Sequence, residues 1–164
     1  MYYVNIFFVY SILGHLLETF IYMMHSGESG ILYGFWTPVY GIGCIIIIAS
    51  YHALFHKHHL TKGLEMLTVF LIGAVLLTSI EWIGGVLIET LFGYVFWDYT
   101  NLPFHIGPYI AWEMALVWGM CAMILIFIIQ PFLNRFIQKI PKWVTYVLID
   151  LFLLDIGCTI YFKL

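Results

Sequence analysis

The chain has 164 residues, 63% of them hydrophobic and only 9% charged, with a net charge of -3 and a mean hydropathy of +1.00. A soluble domain carries about 25% charged residues, so a soluble fold is excluded, and the lack of a basic stripe argues against a nucleic-acid partner. Several apolar runs reach the roughly 20 residues that cross a bilayer, so residues 1–164 read as a single transmembrane domain, an all-α polytopic helical bundle.

The elements follow in order. The first span covers about 2–24, is rich in Phe and Tyr, and carries His15 and Glu18. It lacks a basic n-region and a small-residue cleavage site, so it reads as a retained helix rather than a signal peptide. A Gly- and Pro-punctuated loop ends in Phe35-Trp36-Thr37-Pro38, and a second span covers about 39–55. The third, about 63–92, is longer than the hydrocarbon core is thick, so it tilts or projects. Its Gly84-Gly85 pair offers a thin face for close packing or a bend. The fourth covers about 108–129, with Pro108 suited to a first turn. Residues 131–140 put Phe132, Leu133, Phe136, Ile137 and Ile140 on one helical face and Arg135, Gln138 and Lys139 on the other, as in a short interfacial amphipathic helix. The fifth span covers about 143–162.

Lys57 and Lys62 fall between spans two and three, and Arg135, Lys139 and Lys142 between four and five. The positive-inside rule then puts the N-terminus in the cytoplasm and the C-terminus outside, with Lys163 the one dissenter. The expected home is the bacterial cytoplasmic membrane. Cys44, Cys121 and Cys158 lie in apolar runs and read as reduced core thiols. A short repeat also shows: Leu-Leu-Glu-Thr-Phe at 16–20 resembles Leu-Ile-Glu-Thr-Leu-Phe at 87–92, and each precedes a Phe-Trp pair, at 35–36 and 96–97.

Glu18, Glu81, Glu89, Glu113, Asp150 and Asp155 fall inside predicted spans, and no Lys or Arg does. Intramembrane acids ordinarily pair with opposite charge or face a water-filled cavity. Glu18, Glu89 and Glu113 lie within about 10 Å of the outer helix ends, and Glu81 is about 12 Å deeper than Glu89. Two readings stand. One is an outward-facing acidic cavity lined by Glu18, Glu89 and Glu113, with Glu81 at its floor. The other is separate interfacial carboxylates reaching water, which accounts for Glu89 easily and Glu81 poorly. Trp97, Asp98 and Tyr99 form a turn that could cap the fourth helix or close the cavity, and His105 follows it. His15 and Glu18 share a helix face, so they are weak candidates for a metal site or simply bond each other. His52, His56, His58 and His59 read as a solvated membrane-edge patch. Trp36, Tyr94 and Tyr109 join Trp97 and Tyr99 in an aromatic belt. Asp150, Arg135, Phe136 and Lys139 are candidate docking residues. No cofactor is implied. The expected partners are the lipid bilayer, further copies of the chain or other membrane subunits, and an ATPase subunit.

The stretches YSILGHLLET at 10–19, LYGFWTPVYGIG at 32–43, the Glu81 region and FWDYTNLPFHIGPYIAWEMALVWG at 96–119 resemble the ABC-transporter type IV (CmpB-like) family of membrane proteins. That family's pattern has Gly-Trp before the first Leu-Leu-Glu, where this chain has Gly14-His15, and Asn near position 105, where it has His105. The resemblance, over about residues 8–125, implies a permease-like subunit binding or moving a small or lipid-like ligand. The Trp-Asp-Tyr loop leading into a helix with an early Glu is also similar to small membrane-bound lycopene cyclases. That likeness implies instead an enzyme using intramembrane carboxylates for acid catalysis on an isoprenoid or lipid. A third reading is an accessory subunit of a larger complex.

Overall fold

The computed structural model describes residues 1–23, 32–55, 60–93, 95 and 97–163. The helices are α1 (Tyr2–Met23), α2 (Pro38–Phe55), α3 (Lys62–Phe92), α4 (Trp112–Ile124), α5 (Gln130–Ile137) and α6 (Lys142–Lys163). Five segments are long and apolar enough to cross a membrane, with α4 and α5 counted as one span from Trp112 to Ile137. The expected all-helical, five-span architecture is thus present, and the chain is an integral membrane protein. Tyr94, His56, His58 and His59 lie outside the described residues.

Two local features differ from the pattern expected. The fourth helix starts at Trp112 rather than near Pro108, because β1 (His105–Ile106) and β2 (Ile110–Ala111) form a small antiparallel hairpin first. The fixed φ of proline suits a turn as well as a first helical position. Gly107, at φ 60°, supplies the left-handed residue the hairpin needs. The amphipathic helix expected at about 131–140 is α5, Gln130–Ile137, and α4 runs into it without a break through a π-helical turn at Leu125–Ile129. Pro131 explains the turn: it has no N–H to donate and crowds the carbonyl four residues back, so the ladder widens.

The chain divides into two compact units, Met1–Ile45 with Leu133–Leu164, and Ile46–Phe132. In the first, Thr145 Oγ1 donates to Asn5 Oδ1 at 2.6 Å, and Asn5 Nδ2 donates to the Ile137 carbonyl at 3.4 Å. Asn5 and Thr145 are buried, so this bond ties the start of α1 to the start of α6 where water cannot compete. In the same unit Phe7, Phe8, Trp36 and Phe152 pack on one another at ring separations of 5.2–6.3 Å, edge-on except for the tilted Phe8–Trp36 pair. The second unit is built on α3 lying along α4. Gly73 faces Ala122 and Gly119 faces Phe70, so the two backbones approach closely, as membrane helices do through small residues. Glu65 accepts the Tyr51 hydroxyl at 2.5 Å, joining α2 to α3.

Candidate functional site

Glu81 is the most enclosed acid of the second unit, and only 9% of it is exposed. The small-residue seam brings Trp118 of α4 within reach, and its indole Nε1 donates to Glu81 Oε2 at 2.6 Å. The connection after α3 returns Tyr99, whose hydroxyl donates to Glu81 Oε1 at 2.6 Å. Each carboxyl oxygen of Glu81 thus has one donor, one from a helix and one from a loop.

Two oxygens at the same level have none. Gly73 meets Ala122 and Gly85 meets Tyr109, and this antiparallel register sets position 113 level with Glu81. Glu113 Oε2 is enclosed without a hydrogen-bond partner, and so is Thr78 Oγ1, one turn from Glu81 on the same helix face. Thr68, Ser79 and Thr90 each return their hydroxyl to the carbonyl four residues back, at 2.8, 2.7 and 2.7 Å. Thr78 does not. Enclosed polar atoms are ordinarily satisfied, so such exceptions mark places where water, an ion or a ligand completes the set.

Glu89, Trp97 and Tyr109 make a separate station two turns along α3. The Tyr109 ring lies on Gly85, where a methyl group would come within 2.5 Å of it, and its hydroxyl donates to Glu89 Oε2 at 2.9 Å. Trp97 stands edge-on to Tyr109 at 5.9 Å. The thin Gly84-Gly85 face is therefore a seat for aromatics. Asp98 is exposed and caps its own turn, Oδ1 accepting the Thr100 amide at 2.8 Å. These Thr100 hydrogen bonds hold its carboxyl below the usual aspartate range. His105 is also exposed, its Nδ1 lying 3.0 Å from the Gly107 carbonyl of its own hairpin. Neither reaches Glu81.

Glu18 belongs to the first unit and has its own partners there. Thr37 Oγ1 donates to it at 3.2 Å, and the Tyr40 hydroxyl bonds it as well. The Tyr40 ring lies against Gly14, leaving no room for a side chain. Gly14–Glu18–Tyr40 and Gly85–Glu89–Tyr109 are thus one device built twice, a glycine four residues before a glutamate, both covered by one tyrosine. The repeat legible at 16–20 and 87–92 extends back to Gly14 and Gly85, and in both copies the glycine and glutamate share a tyrosine. Gly85→Val is expected to displace Tyr109 and cost about 1–3 kcal/mol in thermal unfolding, the usual penalty of overpacking. A Gly85→Val protein as stable as wild type would show that the ring does not depend on this seat.

His15 stacks edge-on to Phe35 at 5.8 Å, with Nδ1 enclosed and unbonded. Among the described residues, no three His, Cys, Asp or Glu side chains come together as a metal site. Asp155 has a role that sequence reasoning missed: it gathers the backbone N–H groups of Tyr33 and Gly34 and the indole of Trp36. Arg135, Phe136, Lys139 and Asp150 are all exposed. Two hollows among the described residues are apolar. One, about 10 Å³, lies among Tyr51, Phe55 and Val69, and an open groove of about 340 Å³ lies among Phe7, Ile45 and Phe152.

Five apolar spans define a helical integral membrane protein. The chain belongs to the family described as "Putative ABC-transporter type IV", which matches residues 5–161. That match takes in α5 and α6, beyond the motifs that carry the resemblance in sequence. No curated protein and no solved structure matches the chain.

Proposed function

We propose that the chain is the membrane subunit of a transport assembly and that the Glu81 level of α3 and α4 binds a small cationic ligand. The observation that carries this reading is the pair of enclosed, unbonded oxygens, Glu113 Oε2 and Thr78 Oγ1, set level with a buried carboxylate. Three oxygen-bearing side chains with no cation of their own suit an ammonium group or a metal ion. Tyr99 is the exchangeable partner. It comes from a loop, so a ligand can take its place on Glu81 while Trp118 holds the carboxylate in position.

The test is thermal unfolding of the purified full-length protein across a series of alkali ions, divalent ions and small amines. At least one of them should raise the midpoint in a saturable way in wild type but not in Glu81→Gln. No stabilisation by any of the series, or equal stabilisation of Glu81→Gln, would overturn the reading.

The Lys and Arg distribution turns the Trp97–Ala111 connection outward and the α5–α6 corner to the cytoplasm. Arg135, Phe136 and Lys139 on that corner form a basic, partly apolar patch where an ATPase subunit would dock. In intact cells Asn101→Cys should react with an impermeant thiol reagent and Lys139→Cys should not. The reverse pattern would invert the site's access.

A further inference from the structure

The least covered span is α6, with 11% of its apolar window buried against 17–33% for the other four. Its bare side has a regular pattern. Trp143, Val147, Asp150, Leu154, Gly157 and Tyr161 are all exposed and follow one another at intervals of four, three, four, three and four residues. This is the seam along which two helices pack at a shallow crossing angle. Nothing lies within 4 Å of where a side chain on Gly157 would begin, so a neighbouring backbone could come close there.

Asp150 determines what kind of helix fits. It lies eight residues into α6, roughly 12 Å along the axis, and makes no hydrogen bond or ion pair among the described residues. A carboxyl group facing hydrocarbon at that depth calls for a partner of opposite charge. A second copy has none to offer. Its six Lys and Arg residues are Lys57, Lys62, Arg135, Lys139, Lys142 and Lys163, none of them in the middle of an apolar run, and a symmetric pair would set one Asp150 against another.

We propose that the Trp143–Tyr161 face of α6 seats a transmembrane helix from a different subunit, one carrying a Lys or Arg at mid-depth against Asp150. The reading is independent of the Glu81 site. Apolar length and a close glycine contact supply the packing, and the ion pair supplies the choice of partner.

The experiment uses full-length protein in phosphatidylcholine vesicles, labelled for energy transfer in a Cys158→Ser background. The probe is a single-span Leu/Ala peptide with Lys at its centre, compared with the same peptide carrying Leu there. The Lys peptide should associate at least about 10-fold more tightly than the Leu peptide. Asp150→Leu should abolish the difference, and Gly157→Leu should weaken both peptides while preserving the preference. Equal association of the two peptides, or a Lys preference that survives Asp150→Leu, would overturn the proposal. So would efficient disulfide pairing between copies carrying Leu154→Cys, which would make the occupant a second copy.

Discussion

Glu81→Gln is expected to weaken ligand binding by about 100-fold or more, some 2.7 kcal/mol, by taking the buried carboxyl group out of the centre of the site. Its effect on stability is separable. Both Glu81 oxygens accept hydrogen bonds, one from Tyr99 and one from Trp118. A glutamine has one acceptor and one donor, so its amide nitrogen must face an O–H or an N–H. The Tyr99 hydroxyl can turn to accept, but the Trp118 indole cannot. The amide oxygen can therefore keep the Trp118 bond while its nitrogen donates to Tyr99, so Glu81→Gln should unfold within about 1 kcal/mol of wild type while failing to bind. The double variant Glu81→Gln/Tyr99→Phe takes away the acceptor of that nitrogen and should cost about 1–3 kcal/mol more, the usual penalty of an unmet buried polar group. It should remain unable to bind. Tyr99→Phe alone should bind as well as wild type or better, because the ligand no longer competes with the hydroxyl for Oε1. Tighter binding by Glu81→Gln, or binding restored in the double variant, would remove the carboxyl group from the mechanism and the site with it.

The contrast between Glu81 and Glu89 shows what the sequence could reveal. Span positions were legible because apolar length decides them: α3 was expected over about 63–92 and runs Lys62–Phe92. The acids were conspicuous because the chain places no Lys or Arg near them. Their partners were not legible. Tyr99 and Tyr109 read as members of an aromatic belt, and only the hairpin at 105–111 decides that one reaches Glu81 and the other Glu89. That hairpin rests on Gly107, and Pro108 suited a helix start equally well. Gly14 and Gly85 could have been found, since Gly-x-Leu-Leu-Glu-Thr and Gly-x-Leu-Ile-Glu-Thr align without a gap. Why a ring must cover each glycine is a matter of packing, which spacing alone does not record. The bond of Asp155 to residues 33–36 spans about 120 positions and crosses most of the chain, so no local pattern announces it.

Asp155→Ala is expected to be the most destabilising single change in the first unit, by about 3–5 kcal/mol. Oδ1 of Asp155 accepts the Tyr33 amide at 3.0 Å, and Oδ2 accepts the Gly34 amide at 2.9 Å and the Trp36 indole at 2.6 Å. Thr159 adds a weak contact at 3.5 Å. Asp155 and Trp36 are each 9% exposed, so the indole and the Gly34 amide would lose their acceptor with little water to replace it. Each stranded donor costs roughly 1–3 kcal/mol. Tyr33 is 58% exposed, and its amide recovers solvent. Asp155→Asn should cost less, about 1–2 kcal/mol, because its oxygen can keep both Oδ2 bonds while its nitrogen turns to Thr159. Hydrogen exchange separates this from a general loss of packing. In Asp155→Ala the Gly34 amide should exchange rapidly under conditions where α1 stays protected, and the Trp36 emission should shift to the red. If Asp155→Ala unfolds at the wild-type temperature with Gly34 still protected, residues 33–36 are held by something other than this carboxylate.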